Sequence, residues 1–388
     1  MSKLKTKSDL VKTTTKNLKV KDITISVLGS HSALDVCRGA KDLGFKTLVV
    51  AQKGRDKTYA KYFKSRDNLG CVDEVIELEK FADILNEDIQ QELLKRNAIF
   101  VPHRSFEVYI NDYNAIENKF KAPIFGNRFL LKVEERGVKL NQYDLLDKAN
   151  IRYPKQFNPV PDGTGPKEID RLCIVKVLEK MRGYERAFFL VDSYAGYQHE
   201  SQRLIDEGKI TREALDKAVI EEFVVGVQVN FNFFYSPLNK RLELIGTDTR
   251  RQTNLDGILR LTGNFQQKVM EDNRVQIKYE EAGHIAVTVL ESLLEDAFLI
   301  GERFVEAAKQ LVSPGVIGPF GLQTVITAGP PKKEIIVFDV SPRMPGSPGI
   351  FATPYSGYLY GQNISMGKRV AMEIKEAVRK GKLEEILT

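Results

Sequence analysis

Within the first hundred residues, apolar β-rich segments alternate with helix-period segments, and this alternation restricts the fold more than any other feature. Ile23-Thr24-Ile25-Ser26-Val27-Leu28 is apolar on both faces, as a strand covered on both sides must be. Gly29-Ser30-His31-Ser32 follows, then Ala33, Leu34, Val36, Cys37 and Ala40 recur at helical spacing until Gly44 stops the helix. Lys46–Ala51 is a second strand, and the pattern repeats at Val72–Leu78, a helix over Phe81–Arg96, and Ala98–Val101. Alternation of this kind predicts right-handed crossovers and an open parallel sheet, with ligands at the carboxyl ends of the strands. Gly29–Ser32 and Val101-Pro102-His103-Arg104-Ser105 both follow strands directly, so both can reach one crevice. A first domain is expected over 21–125.

Composition excludes several classes. The 388 residues suggest two or three domains at roughly 150 residues each. Apolar residues make up 42%, which excludes global disorder. The formal charge of +6 owes much to the first twenty residues, with their six Lys and single Asp; these read as a solvated basic tail, a nucleic-acid arm being the sharper alternative. No run approaches the ~18 apolar residues of a membrane helix, and the N-terminus lacks the apolar stretch of a signal peptide. The 3 cysteines, Cys37, Cys71 and Cys173, are odd in number and far apart, which speaks against a disulfide framework or zinc knuckle. A soluble protein of a reducing, cytoplasmic compartment is expected.

A second unit, 126–388, begins at Phe125-Gly126-Asn127-Arg128, with Leu130–Ala149 mostly helical. A Pro/Gly-rich excursion from Pro154 to Pro166 precedes the strand Leu172–Val177, which runs into Lys180-Met181-Arg182-Gly183-Tyr184. The strands Phe188–Val191, Val219–Gly226, Val227–Tyr235 and Arg241–Thr247 suggest a mostly antiparallel sheet. The helix Ala297–Val312 precedes strands at Gly318–Thr327 and Glu334–Val340, and an amphipathic helix, Ser365–Lys380, comes last.

Three places carry chemistry. Lys176 closes a strand and is followed by Lys180, Arg182 and Gly183, cations and a close-approach glycine that suit a triphosphate, although a strand-end Lys can simply be solvated. Glu221-Glu222-Phe223-Val224-Val225-Gly226 can be an ordinary strand entry, or a hinge whose backbone meets a purine edge while a carboxylate takes ribose hydroxyls. Gln323 and Asp339, on the last two strands and followed by Ser341 and Arg343, offer oxygen ligands for Mg²⁺ on nucleotide phosphates.

In this order the parts resemble the ATP-grasp ligases. Asp339–Gly349, Thr353-Pro354-Tyr355-Ser356 and Ser365–Ile374 resemble the C-terminal region of one family within them, the archaeal formate-dependent 5-formaminoimidazole-4-carboxamide ribonucleotide synthetases. Gly29–Leu34 and Lys53–Tyr59 match that family's N-terminal motifs, and the hinge followed by Phe234-Tyr235-Ser236-Pro237 matches too. The resemblance implies an α/β chain: an open parallel sheet (a pre-ATP-grasp domain), then an α+β ATP-grasp fold with a lid subdomain over about 155–225. It implies ATP- and formate-dependent formylation of 5-aminoimidazole-4-carboxamide ribonucleotide (AICAR) through formyl phosphate, in purine synthesis. His31, Ser32, Ser105, His284 and Arg343 would contact AICAR, Arg343 with Gly346 and Ser347 on phosphate. Lys176, Arg182, Glu221, Glu222, Val224 and Glu243 would contact ATP, and Gln323 and Asp339 would hold Mg²⁺ or Mn²⁺. The family's members suggest a homo-oligomer, trimer or hexamer, with no nucleic-acid or membrane partner. The chain departs from the pattern at Gln323 and Asp339, where the family places two glutamates, and at Gly283-His284-Ile285, where it offers Asn. A paralogous ligase with another carboxylate or amine, and a non-catalytic nucleotide-binding protein, are the alternatives.

Overall fold

The computed structural model describes residue 15 and residues 18–135, 137–157, 167–177, 187–252, 255–272, 281–329 and 331–388. Most of the basic tail expected over 1–20 (residues 1–14, 16 and 17), most of the Pro/Gly-rich excursion, and the Lys180–Tyr184 loop with the expected ATP contact Arg182 lie outside the described residues. The chain divides into two compact units: 1–151, 228–324 and 339–388 form the first, and 152–227 with 325–338 the second.

In the first unit, strands β1 (Thr24–Leu28), β2 (Lys46–Gln52), β3 (Glu74–Leu78) and β4 (Ala98–Phe100) form a sheet in the order β3-β2-β1-β4. All three pairings are parallel. Every residue of β1 is buried, as its two-sided apolar sequence requires. One core layer joins Ile25, Val27, Val36 and Val49 to Val370 and Ile374 of the last long helix; the opposite layer joins Leu28, Val50, Phe100 and Phe106. Helix α1 (Ala33–Asp42) meets the C-terminal helix Met366–Lys380 at two glycines. A Cβ on Gly39 would lie 2.2 Å from Lys368 N, and one on Gly367 2.2 Å from Asp35 O, so the backbones approach only because both positions lack a side chain. The Asp35 carboxylate accepts from Gly367 N at 3.0 Å, and Ser365 caps the C-terminal helix by accepting from Lys368 N.

The second unit holds β5 (Gln156–Phe157), β6 (Cys173–Val177), β7 (Ala187–Val191) and β8 (Val219–Glu222), an antiparallel sheet in the order β5-β8-β6-β7. A third sheet has the order β11-β10-β9-β12-β13, from β9 (Val227–Ser236), β10 (Arg241–Gln252), β11 (Glu281–Ala286), β12 (Gly318–Thr327) and β13 (Glu334–Ser341).

Two expectations are corrected here. Leu130–Ala149 is not mostly helical: a 3₁₀ turn covers Leu131–Glu134 and a helix only Gln142–Lys148, capped by Asn141. The Phe81–Arg96 helix breaks at Asn86, whose extended backbone (ψ 143°) separates a 3₁₀ turn from the helix Glu87–Lys95. In both segments a short polar residue able to cap a helix stands mid-segment and starts a new one.

Candidate active site

The carboxyl ends of β1 and β4 and the loop after β13 converge in the first unit. His31, directly after β1, takes a left-handed backbone (φ 51°), an unfavourable conformation for a side chain with a Cβ and one that clusters at functional positions. Its ring lies over Gly346, where a Cβ would stand 2.6 Å from His31 Nε2. Ser32 Oγ sits 2.9 Å from His31 Nδ1 and donates to the Pro345 carbonyl, which ties the two loops together. His103, after β4, stacks on His31 with ring centroids 5.3 Å apart and contacts the Leu28 carbonyl through Nε2 at 2.9 Å. Ser105 Oγ donates to Ser30 Oγ at 3.0 Å. Burial, then the charges of Arg343, His284 and Arg104 with His103 beside it, pulls the His31 pKa down to about 2, so its ring is neutral. Four of the five residues expected at AICAR, His31, Ser32, Ser105 and Arg343, therefore meet in one place, and the fifth, His284, is close enough for its charge to act on His31.

Beneath this cluster lie carboxylates that sequence reading does not reveal. Arg343 Nη2 donates to Glu134 Oε1 at 2.8 Å, and its Nε lies 3.4 Å from Glu107 Oε1 without hydrogen-bond alignment. Arg104 Nη1 lies 3.2–3.5 Å from Glu107, Glu134 and Glu135. Burial, aided by Glu134, pushes Glu107 up to about 8. His284 is gripped on both ring nitrogens: Nδ1 contacts Asp248, and Nε2 lies 2.6 Å from Glu281 Oε1. Burial opposes its charge, but the hydrogen bonds and charges of Asp248 and Glu281 prevail and raise it to about 9. Asp248 also accepts from Asn230 Nδ2 at 2.9 Å and Asn232 Nδ2 at 2.6 Å. Asn230 and Asn232 alternate with Phe231 and Phe233 on β9 and share a face with Gln228; buried amides within this Phe-rich stretch are the signal that marks this position.

Gln323 and Asp339 are neighbours in the same unit. Gln323 Nε2 donates to Asp339 Oδ2 at 2.8 Å and to Ser341 Oγ at 3.3 Å, and Gln142 Nε2 donates to Asp339 Oδ1 at 3.2 Å. Gln323 Oε1 is buried without a hydrogen-bond partner among the described residues. Glu243, expected at ATP, is corrected: both of its oxygens are taken. Arg369 Nε donates at 2.6 Å, Arg241 Nη2 at 2.7 Å and Tyr360 OH at 2.6 Å, so Glu243 anchors the C-terminal helix.

Within the second unit, Lys176 and Glu221 are bonded to each other across β6 and β8. Glu222 Oε2 accepts from Lys155 N at 3.1 Å, with Arg152 and Arg171 3.7 and 3.8 Å from Oε1. β8 stops at Glu222, and the Val224 amide and carbonyl make no backbone hydrogen bond among the described residues. A hinge backbone of that kind can pair with a heterocycle edge.

Two family models match the chain, "Protein of unknown function (DUF1246)" over residues 25–157 and "Domain of unknown function (DUF1297)" over 196–388. The 5-formaminoimidazole-4-carboxamide-1-(beta)-D-ribofuranosyl 5'-monophosphate synthetase of Methanothermobacter thermautotrophicus is 39% identical over 370 residues, covering 95% of both chains. The crystal structure of an IMP biosynthesis protein PurP from Thermococcus kodakaraensis superposes with a TM-score of 0.68 at 29% identity, covering 94% of this chain and 100% of that one. An ADP-complexed N5-carboxyaminoimidazole synthetase from Staphylococcus aureus shares the fold, with a TM-score of 0.56 at 13% identity over 91% of this chain and 77% of that one. The fold is thus the expected one, an N-terminal parallel sheet followed by an ATP-grasp fold. With identity at this level across nearly the whole chain, the protein belongs to the family of 5-formaminoimidazole-4-carboxamide-1-(beta)-D-ribofuranosyl 5'-monophosphate synthetases.

Proposed function

We propose that the chain is an ATP-dependent carbon–nitrogen ligase that formylates AICAR with formate, giving ADP and phosphate, and that it works in the cytoplasm as a homo-oligomer (trimer or hexamer). The observation that carries the reading is the meeting of His31, Ser32, Ser105 and Arg343 at the carboxyl ends of β1 and β4. A neutral ring, two hydroxyls and a buried guanidinium suit a polar heterocycle carrying a phosphate. Formate is a poor electrophile. Its oxygen attacks the γ-phosphorus of ATP and ADP leaves; the 5-amino nitrogen then attacks the formyl carbon, phosphate leaves and the nitrogen loses a proton. Formyl phosphate hydrolyses readily, so the amine must be held ready and water kept out. No side-chain nucleophile is required.

On the ATP side, Lys176, Arg182, Glu221, Glu222 and Val224 are the proposed contacts: Lys176 and Arg182 for phosphate, a glutamate for ribose, and the Val224 backbone for the purine edge. Gln323 and Asp339 fit a divalent ion, because the unpartnered Oε1 of Gln323 is a hard oxygen beside a carboxylate. They would hold Mg²⁺ or Mn²⁺, which when bound neutralises phosphate charge. Through their hydrogen bonds, Gln142 and Ser341 orient this pair.

ADP release measured with each substrate omitted in turn tests the reading. Release that needs formate and AICAR together is expected; release indifferent to AICAR overturns it. The charged His284 favours, as a second reading, a ligase of the same fold with another acceptor amine, and that reading gains if a different amine restores formate-dependent release.

A further inference from the structure

Arg250 on β10 stands directly opposite His284 on β11, so two cationic side chains project from one face of the ribbon. The Glu281 carboxylate spans them: Oε1 lies 2.6 Å from His284 Nε2, and Oε2 lies 3.5 Å from Arg250 Nε. That Arg250 nitrogen is buried and has no hydrogen-bond partner among the described residues. Behind His284, Asp248 accepts from both asparagines and faces Nδ1. Asp248 already accepts from two amide donors and offers the ring only acceptor oxygens, so Nδ1 carries a proton. Nε2 faces a second carboxylate and carries another. The ring is an imidazolium by its partners alone. Exposure differs sharply across the trio: the Asp248 side chain is 1% exposed, His284 11% and Glu281 41%. One carboxylate is built in and the other sits at the surface.

We propose that Glu281 is a displaceable stand-in for a ligand oxyanion at a His284–Arg250 site, and that Asp248, clamped by Asn230 and Asn232, is the positioning residue that keeps His284 a cation. The ligand group is a phosphomonoester dianion. It presents more oxygens and more charge than the carboxylate it replaces, and can satisfy the Arg250 nitrogen that Glu281 reaches only at 3.5 Å. Displacement is feasible because Glu281 lies at the surface, where its freed carboxylate can be resolvated, and the incoming dianion replaces its charge beside His284. The assignment rests on the reading of His284 as a ribonucleotide contact, and makes it a phosphate contact. The titratable and charged groups around the ring are Asp248 and Arg250 from β10 and Glu281 from β11, with the neutral His31, which feels the charge of His284, and Arg343, which acts on Glu281. With His284 raised to about 9, oxyanion binding persists to that pH and fades above it.

The chain has 4 histidines, so ¹⁵N-labelled imidazoles can be followed one by one. Wild type, Glu281→Gln and Asp248→Asn are titrated with inorganic phosphate, with AICAR and with its unphosphorylated riboside, without ATP or formate. Phosphate and AICAR should move the His284 Nε2 resonance, and the riboside should not. Glu281→Gln should bind inorganic phosphate about tenfold more tightly at pH 7, because the internal competitor is gone. Asp248→Asn should bind it at pH 6 and lose it by pH 8. A His284 signal that ignores phosphate, or a Glu281→Gln variant that binds phosphate no better than wild type, overturns the proposal; Glu281 is at the surface, so that arm does not depend on the Asp248 variant folding. A response to AICAR no greater than to free phosphate makes the site one for released phosphate. A normal phosphate response in a protein without AICAR-dependent ADP release removes the proposed reaction and leaves the site standing.

Discussion

Two buried arginine–carboxylate clusters in the first unit use the same side chains to opposite ends. Around Glu243, Arg369 donates through Nε and Nη2 at 2.6 and 3.1 Å, and its other contact, Glu373, lies 2.9 Å from Nη2. Tyr360 and Arg241 complete Glu243, Ser236 donates to Glu373 at 2.7 Å, and the Arg369 guanidinium lies 4.0 Å over the Phe234 ring. Burial would raise Glu243, yet the Arg369 bonds hold it below the usual carboxylate range. Around Arg343, by contrast, Nε, Glu107 Oε1 and Glu134 Oε2 are buried without hydrogen bonds among the described residues, and Glu107 is pushed up to about 8. A completed network fastens a helix. An incomplete one, beside His31, leaves buried donors and acceptors unsatisfied among the described residues, which is what the proposed AICAR contact at Arg343 would need.

The largest expected effect breaks the first cluster. Arg369→Ala leaves Glu243 and Glu373 buried without their shared cation, and should cost about 3–5 kcal/mol of stability in urea unfolding. Activity per folded molecule should stay unchanged; a loss of turnover without a loss of stability would assign this cluster to the reaction instead. Arg343→Ala should do the reverse. Glu107 can shed its charge by keeping a proton, so stability should fall by about 1 kcal/mol or less. Removing the guanidinium should lower kcat/KM for AICAR about 100-fold, or ~2.8 kcal/mol.

The difference also has a pH signature. Glu107 has a folded pKa above its unfolded value of 4.5. Below pH 4.5, where both states are protonated, its burial carries no ionisation penalty, and stability is lost as pH rises toward about 8. Glu107→Gln should remove this slope, which for one proton is at most about 1.4 kcal/mol per pH unit. Melting curves of both proteins between pH 5 and 8 check it: parallel profiles would mean that Glu107 is ionised throughout.

Legibility in the sequence follows the distance between partners. β1, β2 and the loops Gly29–Ser32 and Val101–Ser105 are legible because apolar period and turn residues are local properties, and topology then brings two strand ends together. The Ser365 cap and the Gly367 contact lie in the segment Ser365–Ile374, which motif likeness picks out without saying what each residue touches. The carboxylates Glu107 and Glu134 are not legible, since nothing local separates a buried acid from a solvated one; Glu134 meets Arg343 across 209 residues. Glu243 misleads for the same reason, its partner Arg369 lying 126 residues on. Asp248 is a middle case: the Asn230/Asn232 alternation flags the face, but only pairing in the sheet supplies the acid they bind.

The smallest effect gives the finest contrast, because it touches the open cluster through shape alone. Gly346 has no side chain to carry charge or donate a hydrogen bond, and its backbone is not among the left-handed glycines, so alanine is tolerated conformationally. The added methyl would meet His31 Nε2 at 2.6 Å and Cε1 at 2.8 Å. His31 cannot yield by small adjustment, held as it is by Ser32 on one side and His103 on the other. Gly346→Ala should therefore raise KM for AICAR about fivefold, near 1 kcal/mol, and leave KM for ATP and the melting temperature unchanged. The equivalent intrusion at the closed cluster's helix contact, Gly367→Ala, should show up in the melting temperature and spare both KM values. If Gly346→Ala instead lowers stability and leaves KM alone, His31 is a packing residue, and the open cluster differs from the closed one only in being less complete.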